Sequence, residues 1–154
     1  MTGTRAAAGY SGTPLLKKLG WKPGRRALLS GVPEEVAEIG RYALFAACAR
    51  VSGLADKRLT AALAKAPFDY VHIFAKQADR LADALPRLGP ALDPAGMIWV
   101  SWPKKASKVA TDITEDVVRN LALSNELVDI KVCAVDHVWS GLKLVIPVAL
   151  RAKR

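Results

Sequence analysis

Cysteines are scarce in this sequence and long apolar runs are missing, and each absence excludes a class of protein. Only two cysteines, Cys48 and Cys133, occur among 154 residues. No arrangement of cysteines and histidines has zinc-ligand spacing, so we predict free thiols, no metal and a reducing, cytoplasmic location. The longest wholly apolar run, 43–49, is too short to cross a bilayer. We therefore expect neither a membrane span nor a secretory leader.

Acidic residues are absent from both ends of the chain. Residues 1–33 hold six basic side chains and residues 137–154 hold four, with no acid in either segment. The middle of the chain is nearly balanced, so the ends account for the net charge of +9. Basic surfaces of this kind bind nucleic acid or acidic partner proteins, and they also keep a protein soluble. Nucleic-acid binding through the basic termini is therefore one alternative function.

The length and composition predict one compact domain. Half of the sequence, 51%, is hydrophobic, which is enough to build a core in a chain of this size. Internal repeats are absent, so nothing divides the chain into similar units. We predict a disordered tail at 1–9, a single α/β domain at 10–150 and a basic tail at 151–154.

Apolar segments alternate with amphipathic ones along most of the chain. The strands that they predict are 26–30, 69–75, 97–102, 127–135 and 141–149. The helices that they predict are 14–19, 57–65, 77–89 and 113–123. Asp112 and Glu115 resemble a capping box for the last helix, and the short link 136–140 favours an antiparallel terminal hairpin. This alternation predicts a three-layer, Rossmann-like, mostly parallel sheet with helices on both faces.

The segment that follows Pro33 allows two interpretations. Its apolar residues recur at helical spacing, which favours one helix from 34 to about 51. The alternative ends that helix near Gly40 and makes Tyr42–Ala49 a strand. We favour the single helix.

Five short strings resemble the signature of a known bacterial family. They are GYSGTPL (9–15), WVSWPKK (99–105), TEDVVR (114–119), KVCAVD (131–136) and WSGLK (139–143). On these strings the chain resembles an uncharacterised family, a domain of unknown function, over residues 9–33 and 68–146. The resemblance implies a small Rossmann-like fold similar to a reduced class I methyltransferase. It implies no established activity.

The sequence gives little support to S-adenosylmethionine binding. Dinucleotide and related folds place a glycine-rich turn after the first strand and an acid after the second. Here Gly31 stands alone in the turn, Pro33 lacks an amide donor, and no acid lies between Tyr42 and Ser52. We therefore expect no cofactor, and we keep a divergent S-adenosylmethionine-dependent methyltransferase as the alternative.

The loop 103–108 is the strongest candidate for a ligand site. Ligands of open α/β sheets bind beyond the carboxyl ends of the strands, and lysines and hydroxyls there suit a phosphate or carboxylate. The competing interpretation is a solvated basic loop. Eight residues at or near such strand ends are predicted to bind a ligand: Gly31, Lys76, Trp102, Lys104, Lys105, Ser107, Lys108 and Trp139.

No catalytic set is evident in the sequence. His72 lies within a predicted strand, which indicates a structural histidine, and neighbouring Asp136 and His137 point apart in an extended chain. Trp99 and Trp102 are three residues apart, so they must lie on opposite faces of a strand. The predicted function is therefore non-catalytic binding of a small anionic ligand or of the acidic surface of a partner protein.

Overall fold

The computed structural model describes residues 14–36 and 45–152, and the predicted tail at 1–9 lies outside these ranges. Its helices are α1 Pro14–Lys18, α2 Leu59–Leu63, α3 Ala78–Leu88, α4 Glu115–Ser124 and α5 Val148–Arg151. Its strands are β1 Arg26–Ser30, β2 Ala47–Val51, β3 Phe68–Phe74, β4 Leu92–Pro103, β5 Val128–Ala134 and β6 Trp139–Val145. Among the helices of the described ranges, none has the length and apolarity needed to span a membrane.

The six strands form one sheet in the order β2-β1-β3-β4-β6-β5. β1 pairs parallel with β2 and β3, and β3 pairs parallel with β4. β6 runs antiparallel to both of its neighbours, β4 and β5. The predicted α/β class, the mostly parallel sheet and the antiparallel terminal hairpin are confirmed.

The two faces of the sheet bury different kinds of side chain, because successive residues of a strand point to opposite sides. The core between the sheet and α2, α3 and α4 is mainly aliphatic, and it includes Leu85 of α3 and Val118 of α4. The face under α1 is rich in aromatic residues, including Tyr70 and Trp99. Trp102 belongs to the aliphatic face, so the two neighbouring tryptophans lie on opposite sides as their spacing predicts. Helices cover both faces, which gives three layers.

The favoured helix from 34 to about 51 is wrong. Glu34–Val36 forms a single 3₁₀ turn, and Ala47–Val51 is the edge strand β2, paired with β1 from Arg26↔Ala47 to Ser30↔Val51. The alternative, a strand in this segment, is correct in kind, although residues 37–44 lie outside the described ranges. Pairing with β1 satisfies the backbone groups of β2 that face β1. The free energy of this non-local pairing exceeds the weak helix preference of the alanine-rich segment.

The capping box predicted for the helix at 113–123 is also wrong. The Thr114 hydroxyl accepts a hydrogen bond from the Val117 amide at 3.2 Å, so Thr114 caps α4. The Asp112 carboxylate instead accepts from the Ala78 amide at 2.7 Å, at the start of α3. A single acid can cap only the helix that its side chain faces. In the folded chain the Asp112 side chain faces the start of α3, where its partner Ala78 lies 34 residues away in the sequence.

Two predicted strand boundaries also differ from the structure. β4 begins at Leu92 instead of 97, because the turn-forming residues before Gly96 join the strand through a register shift against β3. β6 ends at Val145 instead of 149. Pro147 has no amide hydrogen to continue the pairing, and it precedes α5.

Candidate functional site

A cavity of about 950 Å³, here called the central cavity, opens beyond the carboxyl ends of β1, β2 and β3. The strand order reverses here: the chain goes from β1 outward to β2 and returns to β3 on the other side of β1. In open α/β sheets this point of reversal is where ligands bind. The lining residues are Gly31, Pro33, Glu35, Ser52, Gly53, Leu54, Ala55, Phe74, Ala75, Lys76, Gln77, Arg80, Ala110, Thr111, Asp112 and Trp139.

Backbone forms the floor of the central cavity. Gly31 has φ +69°, and a Cβ at this position would lie 3.0 Å from the carbonyl oxygen of Phe74. Its amide donates to the carbonyl of Val51 at 3.0 Å, which joins the ends of β1 and β2. A glycine is therefore required at the turn, and it leaves the main chain open to close approach by a ligand.

One wall is made by two loops that are tied together. The Thr111 hydroxyl donates to the carbonyl of Lys76 at 2.7 Å. The Asp112 amide donates to the same carbonyl at 3.3 Å, and its carboxylate caps α3 through Ala78. The segment before α4 is thus fixed to the end of β3. The negative charge of Asp112 lies at the mouth of the cavity, beside the amino end of a helix that stabilises it.

The opposite wall is held by a hydrogen bond between residues that are 104 positions apart. Nε1 of Trp139 donates to Oε2 of Glu35 at 3.0 Å. This bond, followed by the backbone amide of Glu35 and the charges of Lys76 and His137, holds the pKa of the Glu35 carboxyl below its usual value. The ring of Phe74 meets the Trp139 indole edge-on, with centroids 5.3 Å apart. An ionised carboxylate therefore stands beside aromatic rings.

Charges of both signs line the central cavity. The carboxylates of Glu35 and Asp112 contribute negative charge, while the exposed side chains of Lys76 and Arg80 contribute positive charge. A ligand with only one sign of charge would be repelled by part of this lining. The cavity suits a molecule that carries both an anionic and a cationic group.

A second cavity of about 600 Å³, here called the lysine cavity, lies beyond the carboxyl end of β4. It adjoins the central cavity, because Ala110 and Thr111 line both. Its lining residues are Trp102, Pro103, Lys104, Lys105, Lys108, Val109, Ala110, Thr111, Ile113, Thr114, Glu115 and Ser140.

Seven of the eight residues predicted to bind a ligand line one of these two cavities, and Ser107 lines neither. Those in the central cavity are Gly31, Lys76 and Trp139. Those in the lysine cavity are Trp102, Lys104, Lys105 and Lys108. Ser107 is absent from both linings, because its hydroxyl donates to the carbonyl of Lys104 at 2.7 Å and accepts from the amide of Val109 at 3.2 Å. Its predicted role as a ligand donor is therefore replaced by a role in holding the loop.

Several lining residues were missed by sequence reasoning. Glu35 was assigned to a helix start, and nothing in the sequence joins it to Trp139. Arg80 lies in the first turn of α3, directly after the end of β3. That position was available as a signal, because the first turn of a helix that follows a parallel strand lies at the ligand-binding edge of the sheet.

A buried polar network joins β3 and β4 in the core of the sheet. His72 is 0% exposed; its Nδ1 pairs with the hydroxyl of Tyr70 at 3.0 Å, and its Nε2 pairs with that of Ser101 at 2.8 Å. Burial lowers the pKa of His72 to about 3, so the ring is neutral. The ring stacks on Phe74 with centroids 4.4 Å apart. The predicted structural role of this histidine is confirmed.

Three solved structures that share this fold are methyltransferases. A ribosomal protein L11 methylase from Lactobacillus delbrueckii subsp. bulgaricus has a TM-score of 0.56 at 17% identity, over 86% of this chain and 74% of that one. An S-adenosylmethionine-dependent methyltransferase from Clostridium acetobutylicum ATCC 824 has a TM-score of 0.60 at 8% identity, over 85% and 87%. Magnesium protoporphyrin IX methyltransferase from Synechocystis PCC 6803, with bound S-adenosylmethionine, has 0.52 at 12%, over 92% and 77%. The fold is thus a methyltransferase-like Rossmann fold.

No protein-family model matches the sequence, and no curated protein matches it either. The resemblance to a bacterial family through five short strings therefore stays a prediction. The structural comparisons contradict the predicted non-catalytic binding function and the expectation that the chain is not an enzyme, because the matching folds belong to enzymes. They favour the methyltransferase alternative.

Proposed function

We propose that this chain is an S-adenosylmethionine-dependent methyltransferase whose cofactor binds in the central cavity. The observation that carries the proposal is the position of that cavity, at the reversal of strand order between β1 and β3 of a methyltransferase-like sheet. One of the solved structures with this fold has S-adenosylmethionine bound. The volume of about 950 Å³ lies within the usual range of small-molecule sites.

The charges of the central cavity fit this ligand. S-adenosylmethionine carries a carboxylate, an ammonium group, a sulfonium, ribose hydroxyls and an adenine ring. Lys76 and Arg80 would hold the carboxylate, while Glu35 would accept hydrogen bonds from the ammonium group or the ribose. Phe74 and Trp139 offer aromatic surface to a cation or to the adenine.

The end of β2 departs from the usual arrangement, in which an acid at that position holds the ribose. Here Ser52 follows the strand, and its amide and hydroxyl both donate to Asp56, at 2.8 and 3.0 Å. Asp56 is also paired with Arg58, so its charge is already engaged. Among the described residues, Glu35 and Asp112 are the carboxylates that line the cavity. Asp112 caps α3 through the Ala78 amide, so we assign this role to Glu35, which follows β1.

Bound S-adenosylmethionine supplies a methyl group on sulfur, which a lone pair of the acceptor takes while the carbon–sulfur bond breaks and its electron pair stays on sulfur. The residues of the chain hold and orient the two molecules. The lowered pKa of Glu35 keeps its carboxylate ionised near neutral pH, where it stabilises a neighbouring positive charge. Gly31 allows the main chain to approach the ligand.

The test is a calorimetric titration of the full chain with S-adenosylmethionine and with its demethylated product. A Gly53→Leu variant should weaken both by about tenfold or more, because this residue lines the cavity and a Cβ there meets open space. An Ala61→Leu variant, on the exposed side of α2, adds the same side chain elsewhere and should bind like the wild type. Absence of heat up to millimolar ligand with the wild type would refute the proposal.

A further inference from the structure

We propose that the lysine cavity binds the methyl acceptor, and that this acceptor is a small apolar molecule bearing a carboxylate or a phosphate. This inference rests on the proposed function, since an acceptor site has meaning only beside a site for the methyl donor. It differs from the predicted non-catalytic binding role, because the anionic molecule is here a substrate.

The position of the lysine cavity suits an acceptor. Methyl transfer requires the two reacting molecules to meet, so their sites must adjoin. Ala110 and Thr111 line both cavities, and Thr111 is fixed by its hydrogen bond to the carbonyl of Lys76. A molecule in the lysine cavity therefore lies next to one in the central cavity.

The charge of the lysine cavity points to an anion. Lys104, Lys105 and Lys108 line it, and none of their ammonium groups makes a hydrogen bond or ion pair within residues 14–36 and 45–152. Glu115, also in the lining, is already paired with Arg119. Three uncompensated cations thus face a space whose carboxylate is engaged elsewhere, which favours a negatively charged group.

The remaining lining combines the polar residues Thr111, Thr114 and Ser140 with an apolar part. Trp102 is 6% exposed and Ile113 is 2% exposed, and Pro103 and Val109 extend the same lining. A bare inorganic anion would leave this surface without a partner. The combination of a cationic loop and an apolar floor matches a molecule with an apolar body and an anionic group, as in most small-molecule sites.

The loop that carries the lysines has a fixed shape. The amide of Lys104 donates to the carbonyl of Val138 at 2.7 Å, which ties the loop to the terminal hairpin. Lys108 has φ +63°, a left-handed conformation that is unfavourable for lysine, and its amide donates to Lys105 at 3.1 Å. Such conformations persist where the surrounding structure enforces them, and they cluster at functional sites. The backbone that carries the lysines is therefore fixed before a ligand arrives.

The experiment measures binding of phenyl phosphate and of benzoate to the full chain, with uncharged benzamide as the matched probe. In the test variant Lys104, Lys105 and Lys108 are all changed to glutamine. In the control variant the same charge is removed from exposed lysines that line neither cavity, by Lys22→Gln, Lys57→Gln and Lys65→Gln. S-adenosylmethionine binding is measured for every protein.

We expect at least one of the anionic probes to bind more tightly than benzamide. The dissociation constant of that probe should rise about tenfold or more in the test variant and stay within about threefold in the control. S-adenosylmethionine should bind all three proteins alike. The inference is overturned if neither anion binds better than benzamide, or if both triple variants weaken the anion equally, which would indicate general surface charge.

The two proposals fail in different ways. Binding of S-adenosylmethionine without a lysine-dependent anion site would overturn only the acceptor inference. A lysine-dependent anion site without S-adenosylmethionine binding would overturn the proposed function, and with it the role of the anion as an acceptor.

Discussion

The two cavities at the carboxyl edge of the sheet differ in charge and in how the chain builds them. The central cavity lies across parallel strands, and its charged side chains come from separate segments around Glu35, Lys76 and Asp112. The lysine cavity lies beside the antiparallel pair of β4 and β6, and its cations come from one short loop at 104–108. In keeping with this difference, the two proposals assign a ligand of mixed charge to the central cavity and an anion to the lysine cavity.

The largest effect expected at neutral pH separates the two glycines of the central cavity. Gly31→Ala should lower the free energy of unfolding by about 1–3 kcal/mol, because it combines a positive φ with a Cβ 3.0 Å from the Phe74 carbonyl. Gly53→Ala should change it by less than about 0.5 kcal/mol, since nothing lies within 4 Å of the added atom. Denaturant unfolding measures both, and equal losses would show that the Gly31 turn is not constrained as described.

A second effect concerns the dependence of folding stability on pH that arises from His72 in β3. Folding lowers the pKa of His72 from 6.5 to about 3, so below pH 6.5 the unfolded chain binds a proton that the folded chain does not. Above pH 6.5 the burial of neutral His72 causes no loss of folding stability. As the pH falls from 6.5 toward 3, this group lowers the folding equilibrium constant by up to about tenfold per pH unit.

His72→Gln should remove that part of the pH dependence, which unfolding measurements on both proteins over the same pH range will show. Other carboxyl groups titrate in this range, so the difference between the two proteins is the informative quantity. The lysine triple variant should keep the wild-type slope. A slope unchanged in His72→Gln would contradict the neutral, buried state of the ring.

A third effect distinguishes the cations of the two cavities. The double variant Lys76→Gln, Arg80→Gln should weaken S-adenosylmethionine by about tenfold, because it removes both groups proposed to hold the carboxylate. Phenyl phosphate binding should not change. Calorimetry on this variant, with Lys57→Gln, Lys65→Gln as the control for charge, measures both. Loss of phenyl phosphate binding in the double variant would show that the two cavities act as one binding site.

The smallest expected effect is that of the carboxylate. Glu35→Gln retains an oxygen that can accept from Trp139 and should weaken S-adenosylmethionine by about threefold through loss of charge. Because the pKa of Glu35 is lowered, wild-type affinity should stay constant from neutral pH down through the usual range of glutamate and fall only below it. Titrations at several pH values test this, and a decline that begins above the usual glutamate pKa would exclude the assignment.

The parts of the fold predicted from the sequence are those with local signals. β1 and β3 are short, mainly apolar segments, and their predicted bounds hold to within one residue at either end. β2 was predicted only as the less favoured alternative, because its pairing with β1 is a non-local contact and its alanines also suit a helix. Asp112 was assigned to the wrong helix for the same reason, since its partner Ala78 lies 34 residues away.

The candidate sites follow the same rule. The lysine cavity was located from the sequence, because its cations are neighbours in the chain. The central cavity was only partly located, through Gly31, Lys76 and Trp139. The position of the Glu35 carboxylate in this cavity depends on its hydrogen bond with Trp139, which no local sequence pattern predicts. Sites built from one loop are visible in a sequence, whereas sites assembled by topology require the structure.

The most direct test of the two-cavity arrangement is a titration of the full chain with S-adenosylmethionine, in the absence and in the presence of saturating phenyl phosphate. The predicted result is one S-adenosylmethionine per chain in both titrations, with an affinity that changes by less than about threefold. The linings of the adjoining cavities share only Ala110 and Thr111, so both molecules can bind at once. Mutually exclusive binding, or no binding of S-adenosylmethionine in either titration, would contradict the assignment of separate donor and acceptor sites.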